Sequence, residues 1–193
     1  MDRTRTFVAL PVSTAVKQLA AHWMKRLGQV ADSVKWVPAE NLHLTLKFLG
    51  EVPTVELAEI CQRVTSAVAA WEPVEIECDH VGAFPSSSRP RTLWLGIGAG
   101  GQQVSQLQES VERGLNQLGF RREQRQYHPH ITLGRLRSSP ASSLELTSLL
   151  EPADFGTPVT CLVQQVVVVA SQISREGPQY QRLATIPLGK TAS

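Results

Sequence analysis

The sequence is poor in the residues on which several classes of protein depend. Its three cysteines, Cys61, Cys78 and Cys161, are an odd number without a C-x-x-C spacing, so neither a disulfide framework nor a zinc site is expected. Reduced thiols fit a cytoplasmic protein, which is the location we expect. No run of 18 apolar residues occurs, so no membrane span is expected. The apolar run from Phe7 to Val12 is too short for a signal peptide.

An excess of charge of one sign is also lacking. The 19 Lys and Arg residues against 17 Asp and Glu residues give a formal net charge of +2, so the overall charge neither favours nor excludes a nucleic acid partner. Any basic site must therefore be local. The composition, 42% hydrophobic and 19% charged, is typical of a globular chain. We expect residues 1–193 to form a single bilobal domain.

What the sequence does contain is one short pattern in two copies, His43-Leu44-Thr45-Leu46 and His130-Ile131-Thr132-Leu133. The same offset of 87 residues aligns the strand-like run Phe7-Val8-Ala9-Leu10 with Trp94-Leu95-Gly96-Ile97. A helical stripe of apolar residues follows each of these runs. Each half therefore has the order strand, helix, loop, His-x-Thr strand, which predicts an internal duplication.

Strand alternation predicts which side chains of each copy act together. His43 and Thr45 share one face of a strand, while Leu44 and Leu46 share the other. The second copy presents His130 and Thr132 in the same way. An imidazole titrates near neutral pH, so one histidine can accept a proton from water while the other donates one to a leaving oxygen. The two copies predict an acid–base pair for phosphodiester hydrolysis without a metal.

The same alternation makes predictions for three neighbouring side chains. It places Lys47 on the His43 face, where a solvated side chain is expected and substrate contact is the alternative, and it places Phe48 on the opposite, core face. Core packing is the expected role of Phe48, with base stacking as the alternative. Arg135 falls on the core face of its strand, so a role in the site requires a bend or bulge at Gly134.

Further blocks flank both motifs and make the overall pattern specific. They are Arg5-Thr6-Phe7-Val8-Ala9-Leu10, Trp36-Val37-Pro38-Ala39-Glu40-Asn41-Leu42, Leu46-Lys47-Phe48-Leu49-Gly50, Val81-Gly82-Ala83-Phe84-Pro85, Arg91-Thr92-Leu93-Trp94, Pro129-His130-Ile131-Thr132-Leu133-Gly134-Arg135 and Gly177-x-x-Tyr180-x-x-Leu183. With them the sequence resembles the two-histidine (2H) phosphoesterases over almost its whole length. It is most similar to the bacterial and archaeal RNA 2′,3′-cyclic phosphodiesterases, also described as 2′-5′ RNA ligases.

The resemblance implies a fold and a reaction. The fold is α+β and bilobal, with two antiparallel sheets that line a central cleft and helices packed outside. The reaction is hydrolysis of a terminal 2′,3′-cyclic phosphate on RNA or a nucleotide to a 2′-phosphate, without cofactor or metal. No membrane partner is implied, and a monomer is expected.

The resemblance also assigns roles to residues of this sequence. His130 would be the proton acceptor and His43 the proton donor, although the symmetry of the two copies does not itself choose between them. Thr45 and Thr132 would bind the phosphate, and the family pattern supports substrate contact by Arg135. For Lys47 and Phe48, substrate contact is a candidate role that rests on strand position alone. Alternatives that use the same groups are 2′-5′ ligation, hydrolysis of 2′-5′ linkages and opening of other cyclic nucleotide phosphates. A module that binds RNA ends without turnover is an alternative from a different class.

Overall fold

The structure is a computed structural model that describes residues 2–31, 33–137, 144–150, 155–174 and 177–189. The elements of these segments follow in chain order. They are β1 (Arg3–Pro11), α1 (Thr14–Leu27), β2 (Val34–Trp36), β3 (His43–Pro53), α2 (Leu57–Val68), β4 (Val74–Phe84), β5 (Thr92–Ile97), α3 (Gly101–Asn116), β6 (His130–Leu136), α4 (Leu144–Leu149), β7 (Val159–Val163), β8 (Gln165–Ser174) and β9 (Gly177–Pro187). The chain is therefore of the α+β class, as expected from the sequence.

The two longest helices form where the apolar stripes predict them. Helix α1 begins after Ser13, whose hydroxyl accepts a hydrogen bond from the backbone N–H of Val16 at 3.3 Å. Helix α3 begins after Gly100, which has a φ of 82° and lies so close to β4 that a Cβ would overlap the Glu75 carbonyl. Both helices bury one face against the sheet; the buried apolar residues are Val16, Ala20, Trp23, Leu27, Val104, Leu107, Val111 and Leu115.

The strands form one antiparallel sheet in the order β7-β4-β5-β6-β3-β1-β8-β9, and β2 pairs with β6. We call β3-β1-β8-β9 the first arm and β6-β5-β4-β7 the second arm. The arms meet between β3 and β6, where the pairing consists of a single register pair, Leu44 with Ile131. The prediction of two separate sheets is not confirmed, because backbone pairing continues across this junction. The helices lie on the face of the sheet that carries Leu44 and Ile131, both fully buried in the main core.

A β-bulge interrupts each of the two motif strands at equivalent positions. In the β1–β3 pairing Val8 opposes Lys47 and Ala9 opposes Thr45, so Leu46 is the extra residue. In the β5–β6 pairing the extra residue is Leu133, which is 87 positions further along. Beyond each bulge the alternation of the side chains shifts by one residue.

The shift corrects two predictions made from simple alternation. Lys47 turns to the helix side and is buried, and Phe48 turns to the opposite face, where its side chain is 59% exposed. In the second arm Gly134 is buried and Arg135 is exposed. The bulge therefore turns the Arg135 side chain from the core face to the site face, as a role in the site requires. Within the described segments, no helix is long and apolar enough to span a membrane.

Candidate active site

The junction between the arms brings the two His-x-Thr motifs side by side. Because Leu44 opposes Ile131 in an antiparallel pair, His43 lies beside Thr132 and Thr45 lies beside His130. Directly opposed side chains are about 4.5–5.5 Å apart at Cβ, and alternate residues of one strand are about 6.5–7 Å apart. The two histidines therefore lie on a diagonal of roughly 8 Å. All four side chains project from the face opposite the core, so their polar groups share one site.

Each histidine is held by the same backbone hydrogen bond. His43 Nδ1 donates to the carbonyl oxygen of Asn41, and His130 Nδ1 donates to that of His128, both at 2.7 Å. A carbonyl oxygen can only accept, so Nδ1 carries a proton in both rings. Each Nε2 is then the atom available to accept or donate a proton in the site. The two carbonyls are again 87 residues apart, so an equivalent backbone hydrogen bond orients each imidazole.

Aromatic side chains surround His43. Phe7 stacks on the imidazole with ring centroids 4.8 Å apart, and Tyr180 contacts it edge-on at 5.7 Å. Burial among these rings lowers the pKa of His43, because the imidazolium loses solvation; the nearby His130 lowers it further. The backbone bond to Asn41 opposes this shift.

His130 has a matching environment in the second arm. Phe84 contacts its ring edge-on at 4.9 Å, and Trp94 lies at 6.1 Å. Burial again lowers the pKa, opposed by the backbone bond to His128 and reinforced by the positive charge of Arg135. The charge of Arg135 acts on His130 directly, and this is the clearest electrostatic difference between the two histidines.

Arg135 lies beyond the bulge in β6 and contacts the neighbouring strand β5. Its Nη1 donates to Thr92 Oγ1 at 3.2 Å. Burial raises the pKa of Tyr180, and the positive charges of Arg5 and Arg135 oppose this rise. An exposed guanidinium at this position can bind a phosphate or lie against a base.

Thr45 and Thr132 are half-buried on the site face. Besides the pairing of Leu44 with Ile131, a hydrogen bond at Thr45 also joins the two arms. The phenol O–H of Tyr127, on the segment that leads into β6, donates to the backbone carbonyl of Thr45 at 2.8 Å. Burial raises the pKa of Tyr127, so the phenol stays protonated as a donor. Tyr127 thereby fixes the lead-in of the second motif on the first motif.

Lys47 does not reach the site. Its Nζ lies 2.8 Å from Glu112 Oε2 of α3 and donates to the carbonyl oxygen of Arg121 at 2.9 Å. The side chains of Lys47 and Glu112 are only 6% and 5% exposed. The expectation that Lys47 faces the cleft, solvated or in contact with a substrate, is therefore corrected: its side chain is buried and pairs with Glu112. Phe48 takes its place on the site face, with its ring 6.0 Å from that of Phe7.

Several groups of the site were not identified from the sequence. The carbonyls of Asn41 and His128 and the rings of Phe7 and Trp94 recur at the offset of 87 residues, which was an available signal. Tyr127 has no such counterpart, and only the folded arrangement reveals it. Within the residues that the structure describes, no group of three or more His, Cys, Asp or Glu side chains could hold a metal ion.

The chain is similar in sequence to a known family and to several named proteins. The family model described as the 2′-5′ RNA ligase superfamily matches residues 11–172. A protein of Aeropyrum pernix is 34% identical over 82% of this chain and 92% of its own, and one of Archaeoglobus fulgidus is 33% identical over 93% and 97%. Both are named RNA 2′,3′-cyclic phosphodiesterase.

Solved structures share the fold. A crystal structure of a Thermus thermophilus protein superposes with a TM-score of 0.78 at 25% identity and covers 95% of this chain and 97% of its own. Escherichia coli LigT complexed with 3′-AMP gives a TM-score of 0.77 at 23% identity, covering 98% of this chain and 100% of its own.

Proposed function

This chain belongs to the 2′-5′ RNA ligase superfamily, and from that membership we propose that it is an RNA 2′,3′-cyclic phosphodiesterase that opens the terminal cyclic phosphate to a 2′-phosphate. Its relatives in archaea and bacteria carry that name at 26–34% identity over most of the chain. The observation that carries the proposal is the orientation of His43 and His130 by equivalent carbonyls, which leaves Nε2 of each ring for proton transfer.

We propose that His130 is the base and His43 the acid. Arg135 places a positive charge beside His130, which disfavours its imidazolium and favours the neutral form that a base needs. The charge of Arg135 is not among the causes that lower the pKa of His43, so it does not disfavour the imidazolium that a proton donor needs.

The reaction then proceeds in one displacement at phosphorus. His130 Nε2 takes a proton from water as the water oxygen bonds to phosphorus, and the bond from phosphorus to O3′ breaks. His43 Nε2–H gives its proton to O3′ as that oxygen leaves. The diagonal placement of the two rings suits attack and departure on opposite sides of the phosphate. The product is a 2′-phosphate with a free 3′-hydroxyl.

Thr45 and Thr132 are proposed to donate their hydroxyl protons to the non-bridging phosphate oxygens. Negative charge grows on these oxygens in the transition state, so fixed donors there lower the barrier. Arg135 is proposed to bind the substrate from the second arm, and Phe48 to offer a face for a base in the first arm. None of these steps uses a metal or cofactor.

The name of the superfamily favours 2′-5′ RNA ligation as a second activity. If the 5′-hydroxyl of another RNA end replaces water as the nucleophile, the same proton transfers join the two strands through a 2′-5′ linkage. The reaction differs only in what occupies the water position, so both activities would require the same four side chains.

The chain is also proposed to be one bilobal domain that arose by duplication and acts as a monomer. The strand order is symmetric about the β6–β3 junction, and both motif strands carry a bulge at the equivalent residue, Leu46 and Leu133. Superposition of β1 and β3 on β5 and β6 tests the duplication, and light scattering of the purified protein tests the monomer.

Alanine substitution tests the catalytic pair. His43→Ala and His130→Ala are each expected to lower kcat by roughly 10²–10⁴-fold, which is the usual contribution of one acid–base group. His22→Ala is the matched control, because His22 is an exposed histidine of α1, and it should retain full activity. Steady-state hydrolysis of a nucleoside 2′,3′-cyclic phosphate measures the effect. Full activity in either site variant would refute the assignment.

A further inference from the structure

A second pair of polar side chains lies on the site face of the second arm. In the β4–β5 pairing Cys78 opposes Ile97 and His80 opposes Gly96, so Asp79 is the extra residue of a bulge. This bulge brings both polar side chains to one face. A Cβ on Gly96, within β5, would overlap the His80 ring, so the ring lies directly over this glycine. A Cβ on Gly98, just after β5, would overlap the Asp79 carboxylate in the same way.

The register places this pair in line with the reacting centre. Gly96 opposes His80 on one side and His130 on the other, so all three positions share a row across the sheet. His80 is thus two strand spacings, or about 10 Å, from His130. Trp94 lies between them, with its ring 5.5 Å from that of His80 and 6.1 Å from that of His130.

The chemistry of the pair is that of an oriented hydrogen-bond acceptor. Asp79 Oδ1 lies 2.5 Å from His80 Nδ1, and the side chains of Asp79 and His80 are 32% and 36% exposed. Because a carboxylate can only accept, Nδ1 carries the proton, and Nε2 is the ring nitrogen left for a ligand; in the neutral tautomer that this bond selects, Nε2 is an acceptor. The carboxylate beside it disfavours a phosphate at this place. A ligand group that fits is therefore a neutral O–H or N–H donor.

We propose that His80, oriented by Asp79, accepts a hydrogen bond from the ribose 2′-hydroxyl of the nucleotide that precedes the one bearing the cyclic phosphate. This inference rests on the proposed function, which places the cyclic phosphate between His43 and His130. The separation of about 10 Å between His80 and His130 is the basis for assigning His80 to the next nucleotide of an RNA strand rather than to the terminal one. The 2′-hydroxyl is the donor that every ribonucleotide carries whatever its base. The subsite thus selects RNA ends over mononucleotides.

Three substrates with the same terminal nucleotide test the proposal. They are a mononucleoside 2′,3′-cyclic phosphate, a dinucleotide ending in the same group, and that dinucleotide with 2′-deoxyribose in its first nucleotide. His80→Phe keeps an aromatic ring and removes the acceptor. It is expected to lower kcat/KM for the ribose dinucleotide about five- to tenfold, the effect of one hydrogen bond, and to leave the mononucleotide value unchanged.

The deoxy substrate and two further variants sharpen the test. Wild-type protein should show the same loss on the deoxy dinucleotide, and His80→Phe should add no further loss there. Asp79→Asn should give a smaller loss in the same substrate-dependent manner. His22→Phe, at an exposed position on α1, is the matched control and should change none of the values. Unfolding midpoints check that each variant folds.

Each remaining outcome overturns the proposal. An equal loss on all three substrates would mean that His80 only packs against Trp94. A loss in His80→Phe that persists on the deoxy dinucleotide would assign the contact to a base instead. If wild-type protein hydrolyses none of the substrates, the proposed function fails separately. Binding of a dinucleotide 2′-phosphate to wild-type and His80→Phe protein, by calorimetry, then decides the subsite, and equal affinities would overturn it.

Discussion

The buried pair Lys47–Glu112 gives a prediction that separates packing from substrate binding. Lys47→Met removes the ammonium but keeps most of the side-chain volume. Among the residues that the structure describes, the Glu112 carboxylate, which is 5% exposed, then keeps the 3.2 Å hydrogen bond from Gln108, and the Arg121 carbonyl loses its donor Nζ. Breaking a buried ion pair from one side costs about 3–5 kcal/mol. We expect the free energy of unfolding of Lys47→Met to fall by that amount.

A double-mutant cycle identifies the source of this loss. Glu112→Gln removes the charge with little change of shape. The double variant, with Lys47→Met and Glu112→Gln, therefore no longer buries an unpaired ion. The double variant should be destabilised by roughly 1–2 kcal/mol, mainly from the unpaired Arg121 carbonyl, and thus less than Lys47→Met alone. Lys25→Met, at an exposed lysine of α1, is the matched control and should lie within about 0.5 kcal/mol of wild type.

Equilibrium unfolding in urea, extrapolated to zero denaturant, measures these differences. The substrate-binding hypothesis makes the opposite prediction for Lys47→Met, namely unchanged stability and a raised KM. Stability within about 0.5 kcal/mol of wild type, combined with a raised KM, would refute the placement of Lys47 on the helix side.

Two further predictions concern the positions and charges of the histidines. Tyr127→Phe removes the hydrogen bond to the Thr45 carbonyl, so stability should fall by about 1 kcal/mol and kcat about tenfold through misplacement of the second motif; unchanged kcat and stability would contradict its positioning role. Arg135→Gln removes the charge that helps to lower the pKa of His130, so this pKa should rise and the acidic limb of the kcat/KM profile should move to higher pH. A limb that stays in place, or moves to lower pH, would show that His130 is not the base.

The strand pattern could predict the four central side chains because it depends on local geometry alone. His43 and Thr45 precede the first bulge, as His130 and Thr132 precede the second, so simple alternation holds for all four. The helix stripes and caps were predictable for the same reason, since a Ser N-cap and apolar residues at helical spacing act within one segment.

Features that depend on pairing between distant segments could not be predicted in this way. The bulge at Leu46 reverses Lys47 and Phe48, and its position is visible only in the register with β1. The continuity of the sheet rests on one pair, Leu44 with Ile131, which no pattern in either strand specifies. For Arg135 the sequence indicated that a bulge was needed, and the register shows it one residue earlier, at Leu133.

The most direct test of the central claim is identification of the product from one defined substrate. An RNA oligonucleotide with a terminal 2′,3′-cyclic phosphate is incubated with wild-type protein in excess EDTA, and the product is compared by chromatography with synthetic oligonucleotides that end in a 2′-phosphate or a 3′-phosphate. We expect complete conversion to the 2′-phosphate, and no conversion by the variant that combines His43→Ala and His130→Ala. A 3′-phosphate product, or a requirement for added divalent metal, would contradict this expectation.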